Sequence, residues 1–178
     1  TLAVSVAVLV SVAGADPAYR VGTATSRVAL LPVRCERDID PSLCRALGES
    51  VAIEMAREPR IEVVNPNDLE VLVGAASLTE LQNCGREDCF SAIDFTSVDA
   101  SYLIALDLSR IGPDARLVVR MVDLRRGQVI DRDEAKAPAK DERAIEEAAR
   151  AVTMNVLVRR GLAQPPSVAE EDAGPRPV

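Results

Sequence analysis

Residues 101–134 read SYLIALDLSRIGPDARLVVRMVDLRRGQVIDRDE, the most strongly alternating run in the chain. Tyr102, Ile104, Leu106 and Leu108 fall on one side of a strand, with Ala105, Asp107 and Ser109 on the other. Gly112-Pro113-Asp114 interrupts it, after which Leu117, Val119 and Met121 alternate with Arg116, Val118 and Arg120. Leu124-Arg125-Arg126-Gly127 makes the next turn, with Gly127 placed for left-handed backbone. Val129 to Glu134 then completes a three-stranded meander. One face of it is apolar and the other charged, as expected of an antiparallel sheet packed on one side.

Upstream the pattern changes. Val28-Ala29-Leu30-Leu31-Pro32-Val33 is a continuous apolar run, which predicts a strand covered on both faces and ended near Pro32. Asp40-Pro41 is a helix start, followed by Leu43, Leu47, Val51 and Met55 at helical spacing to about Arg57. Gly48 inside that helix costs about 1 kcal/mol relative to Ala, unless its missing side chain permits close packing. Ile61 to Val64 is a short strand, and Asn65-Pro66-Asn67-Asp68 opens a helix through Leu69, Leu72 and Val73 to about Ala76. Two strands joined by one helix form a right-handed parallel crossover. Leu78 to Ser97 carries Phe90, Ile93 and Phe95 and a short helix from near Arg86. Asp141 to Arg160 is the last helix, with Ile145, Ala148, Ala149, Val152 and Val156 as its apolar stripe. The fold class is therefore α/β: a two-layer sandwich in which helices pack a mixed sheet of about five strands, parallel crossover plus antiparallel meander.

This domain spans residues 28–160. Residues 1–15 contain the uncharged run LAVSVAVLVSVAGA from Leu2, ending in Ala13-Gly14-Ala15, the pattern of a signal peptide cut after Ala15. The run lacks a basic start, so the signal is expected to be truncated there, and it is shorter than a membrane span needs. No cysteine follows it, which gives no support to a lipid anchor at that junction. Residues 16–27 read as a linker, and the acidic, proline-rich residues 161–178 as a disordered tail.

Export gives the four cysteines a meaning. Cys35 and Cys44 form one close pair and Cys84 and Cys89 another; three connectivities exist, and short separations in an oxidising compartment favour the two local disulfides. A four-thiolate zinc site fits less well, because structural zinc sites use tighter C-x2-4-C spacing.

Composition narrows function further. The chain has no histidine, which removes the commonest general acid/base and zinc ligand. Two Phe, two Tyr and no Trp leave little for stacking sugars or bases, and a formal charge of −7 repels phosphate backbones. Nucleic acid is excluded as a partner, and no cofactor is expected. Asp38 with Asp40 and Glu87 with Asp88 are carboxylate pairs of the kind that do acid/base work, but arginines flank them and no nucleophile elbow, P-loop or zincin motif is present. The expectation is a protein that is not an enzyme.

Several phrases are similar to those of the TolB amino-terminal-domain family. They are VALLPV (Val28 to Val33), IEVV leading to NPNDL (Asn65 to Leu69), ASYLIALDL (Ala100 to Leu108) and LVVRMVDLRRGQVI (Leu117 to Ile130). The resemblance covers about Val28 to Val158, the whole domain. It implies a two-layer α/β sandwich and a role in envelope binding or assembly, as in the related CsgG- and LpoB-type envelope domains. The resemblance does not reach the carboxy-terminal propeller of TolB.

The expected function is a non-enzymatic periplasmic or cell-envelope interaction or assembly module, exported to the periplasm or secreted, with no stable membrane span after signal cleavage. Its partner would be an envelope protein or a peptidoglycan-associated component. The alternative is a small-ligand sensor or carrier with a pocket between sheet and helices. The meander arginines Arg110, Arg116, Arg120, Arg125, Arg126 and Arg132 form a candidate docking face, with Arg110, Arg116, Arg120 and Arg126 the leading contacts together with Arg86 and Asp88 in the C-G-R-E-D-C loop. The competing reading of the arginines is a solvated face with cross-strand ion pairs to Asp107, Asp131 and Asp133.

Overall fold

A computed structural model of the chain describes residues 25–82 and 98–165. The expected signal, the second cysteine pair, Arg86, Asp88 and the tail beyond residue 165 lie outside the described residues. The order is β1 (Ser26–Leu30), β2 (Arg34–Cys35), α1 (Pro41–Ala56), β3 (Ile61–Val64), α2 (Pro66–Val73), α3 (Ala75–Gln82), β4 (Tyr102–Ile111), β5 (Asp114–Asp123), β6 (Gln128–Pro138) and α4 (Glu142–Arg159). The strands form one mixed sheet in the order β3-β1-β4-β5-β6, with β2 also paired to β4. β1 is parallel to both β3 and β4, and the meander β4-β5-β6 is antiparallel. This is the α/β class expected from the sequence.

The helices start where the sequence predicts. The Asp40 carboxylate accepts from the Ser42 N–H at 2.8 Å with Pro41 at the first position, and Asn65 accepts from the N–H groups of Asn67 and Asp68 ahead of Pro66. α1 and α4 lie on one face. There Leu47, Val51 and Met55 meet Ile145, Ala149 and Val156 over Leu30, Ile104, Leu106, Leu117 and Met121, all buried. Packing continues beyond Arg160, because Ala163 is also buried in this core.

Among the described residues the other face is covered in part. Leu69 of α2 and Leu78 and Leu81 of α3 pack with Ala29, Leu31, Leu103, Ala105 and Val122. α2 ends at Val73 rather than Ala76, because Gly74 adopts φ 82°, and the chain restarts as α3. This reorientation leaves Leu72, expected in the apolar stripe, exposed. Gly48 is buried, yet a Cβ built there meets Val33 Cγ2 at an ordinary 3.5 Å, so close packing does not require the glycine.

β1 ends at Leu30, two residues before the expected limit at Pro32. The Leu31 N–H still donates to the Ile104 carbonyl, Pro32 breaks the ladder, and β2 resumes it opposite Asp107 and Leu108. A two-residue strand has little of its own to hold it. Cys35 is tied to Cys44 in the first turn of α1 by a disulfide, the local pairing expected. By the loop-entropy argument this crosslink contributes about 2.5 kcal/mol. Replacing both cysteines by alanine should lower stability by about that amount, read as a reduced urea midpoint at unchanged slope.

Candidate functional site

The charged face of the meander is real, but its composition differs from the expectation. Arg120 sits opposite Arg132, and Arg116 opposite Lys136, on the face away from α1 and α4. β2 brings Arg34 to the same face beside Asp107. Arg34, Arg116, Arg120 and Arg132 line a groove of about 500 Å³ together with Glu36, Asp107, Ser109 and the apolar Val118 and Val129. Of the expected leading contacts the structure brings together Arg116 and Arg120. Arg110 lies at the far end of β4, its N–H donating to Glu36 and its guanidinium 3.5 Å from Asp38. Arg126 is in the β5–β6 turn, its side chain 74% exposed and 3.8 Å from Asp123.

Asp107 holds the inner wall. Its carboxylate is 18% exposed and accepts from Arg34 Nε at 2.6 Å and Arg120 Nη2 at 2.8 Å. Such a group in a half-buried position costs several kcal/mol if left uncompensated, about 3–5 on removal of a partner. At the outer wall Glu134 accepts from Arg116, and that hydrogen bond is the main reason its carboxyl is held below the ordinary value. Lys136 and Arg132 add to the same effect from nearby.

The expected pairing of these arginines with Asp131 and Asp133 is overturned. Met121 pairs with Asp131 and Val122 with Val129, so Ile130 is an extra residue on β6. A one-residue bulge reverses the faces beyond it. Val129 therefore lines the groove, while Asp131 and Asp133 turn to the helical side. There Arg159 bonds Asp131 at 3.0 Å and Asp133 at 2.8 Å, and Arg160 reaches Asp131 at 3.1 Å. Arg159 and Arg160 thus clamp α4 to the outermost strand.

Sequence reasoning missed Arg34 and Lys136 as site residues, and named Arg132 only as one of the meander arginines. Arg132 and Lys136 follow from the alternation once the bulge is known; Arg34 had no signal, since two residues of strand leave no period. Of the carboxylates considered for acid/base work, Asp40 is committed to the α1 cap and Asp38 to Arg110, while Glu87 and Asp88 lie outside the described residues. Among the described residues no cluster of Cys, Asp and Glu could hold a metal ion, and no helix is long and apolar enough to cross a membrane.

A second concavity, of about 820 Å³, lies beyond the carboxyl ends of β1 and β3. α1 leaves from there to one face and α2 to the other, the topological switch where open α/β sheets leave a crevice. Val33, Ile39, Gly48, Ala52, Ile53 and Pro66 give it an apolar lining, with Arg37, Arg45, Glu49 and Glu70 also along it.

Both concavities lie on one α/β scaffold. No family model matches the chain, and no curated protein matches it. Among solved structures it is similar to TolB from Acinetobacter baumannii, at 12% identity and a TM-score of 0.48, over 76% of this chain and 29% of that one. It thus spans under a third of the TolB chain. It is also similar to the LpoB C-terminal domain from Salmonella enterica, at 15% identity and a TM-score of 0.48, over 65% of this chain and 84% of that one. A lipoprotein from Neisseria meningitidis matches at 12% identity and a TM-score of 0.49, over 76% and 95% of the two chains. The neighbours include the kinds of domain that the strand phrases resemble.

The Arg159 clamp carries a pH signature. Burial pushes the Asp131 carboxyl up, but the hydrogen bonds from Arg159 and the Arg132 N–H, with the nearby Arg160 charge, outweigh it and hold it below its ordinary value of 3.8. A depressed carboxylate stabilises the fold above its unfolded value, and the benefit is lost as pH falls through the lower folded value. Arg159→Ala should cost about 1 kcal/mol at neutral pH. The gap to wild type in urea titrations should close as pH drops below 3.8; a gap independent of pH would refute the clamp's electrostatic role.

Proposed function

We propose that this chain is a non-enzymatic interaction module of the bacterial cell envelope, which docks an acidic partner on the open face of its meander. The observation that carries this reading is a gathering of charge. Arg34, Arg116, Arg120, Arg132 and Lys136 converge on one face with the carboxylates Glu36, Asp107 and Glu134, in a chain whose formal charge is −7. Cations collected against the sign of the whole molecule mark a site where an anionic surface gains complementarity. The signal-like run from Leu2 to Ala15, the disulfide and the phrases similar to the TolB amino-terminal domain support an exported, periplasmic setting. The partner is then an envelope protein or a peptidoglycan-associated component.

A specific observation favours a second reading, a small-ligand carrier or sensor. The crevice beyond β1 and β3 is roomy and apolar, and Ile53 on its wall is 60% exposed. Such crevices are the usual ligand site of open α/β sheets.

Arg116→Glu combined with Arg132→Glu should reduce capture of the envelope partner about tenfold or more at low salt. Arg126→Glu, remote from the groove, should leave capture unchanged. Equal capture by all three proteins would remove the docking face. For the second reading, an apolar fluorescent probe should bind the native chain and be weakened several-fold by Ile53→Glu. A probe insensitive to that change would exclude the crevice.

A further inference from the structure

The geometry points to an extended acidic segment of a partner protein as the ligand of the groove, with two carboxylates on one side of the segment four residues apart; this rests on the docking reading above. The argument begins with register. Arg120 faces Arg132 and Arg116 faces Lys136, two like-charge pairs directly across neighbouring strands. Like charges so placed destabilise a sheet. The fold compensates half of each pair: Asp107 holds Arg120, and Glu134 holds Arg116. Arg132 and Lys136 form no ion pair among the described residues, and both are exposed on the outermost strand.

Arg132 and Lys136 share one side of β6 and stand four residues apart, about 13 Å along a strand. An extended peptide has the same rise and the same alternation. Carboxylates at its positions i and i+4 therefore point to one side at matching separation, one meeting Arg132 beside Arg120 and the other Lys136 beside Arg116. Its residue i+2 lies over Val118 and Glu134, which suits a small or β-branched side chain. Guanidinium groups favour carboxylates through paired N–H donors. A membrane fits less well, because the overall negative charge repels an anionic lipid surface while the cations sit along a groove with an apolar floor of Val118 and Val129.

The test uses short synthetic peptides with the full chain. A peptide carrying Glu-x-Val-x-Glu should bind at low ionic strength and weaken as salt is added. Moving one Glu to i+3 places it on the other side of an extended peptide and should weaken binding about tenfold. Arg132→Ala and Lys136→Ala should each cost a similar factor, with thermal unfolding no lower than wild type, because both residues are exposed and each change relieves a like-charge pair. Indifference to spacing overturns the proposal, as does binding of phosphatidylglycerol vesicles that is lost in Arg132→Ala without any peptide binding. If spacing has no effect but partner capture still responds to Arg116→Glu with Arg132→Glu, the acidic-segment inference falls and the docking face stands. If neither responds, both fall.

Discussion

The rest of the structure depends on how far each strand is buried. β1 and the first half of β4 are covered on both faces: Leu30, Ile104 and Leu106 lie under α1 and α4, and Ala29, Leu103 and Ala105 under α2 and α3. Among the described residues the second cover stops at Ala105. Beyond it the same side of β4 reads Asp107 and Ser109, and the sheet is left to polar groups. Asp107 is thus a carboxylate at the margin of a core, tolerable because two guanidinium groups converge on it. The groove lies where the described helical cover ends.

That position divides the groove into two walls with different duties. Arg34 and Arg120 at the inner wall satisfy Asp107, and their loss would strand a charge. Arg132 on the outer wall and Lys136 beyond it on β6 form no ion pair among the described residues and act on Glu134 only as nearby charges. Presentation of the inner wall depends in turn on the Cys35–Cys44 crosslink, which holds the two residues of β2 between β4 and the start of α1.

The outer wall rests on the bulge at Ile130. It sends Asp131 and Asp133 to Arg159 and Arg160, which fixes the outermost strand to α4, and returns Arg132, Glu134 and Lys136 to the open side. One inserted residue therefore both anchors β6 and aims its cations.

Local chemistry made much of the fold legible from the sequence alone. Asp40-Pro41 and Asn65-Pro66 declare helix starts through caps, the alternation from Tyr102 to Met121 declares a half-buried meander, and Gly127 declares its turn at φ 63°. Cys35 and Cys44, close in sequence and flanking a strand exit and a helix start, declared their pairing. The composition of the groove was decided by tertiary structure. Arg110 and Arg126 look equivalent to Arg116 and Arg120 along the chain, yet they sit at opposite ends of the sheet. Arg34 joins the site from a segment with no period of its own, and Asp131 leaves it across a bulge that no residue type announces. The physical reason is that side-chain direction in a sheet is set by register, and register is fixed by pairing between strands distant in the chain rather than by the residues of any one strand.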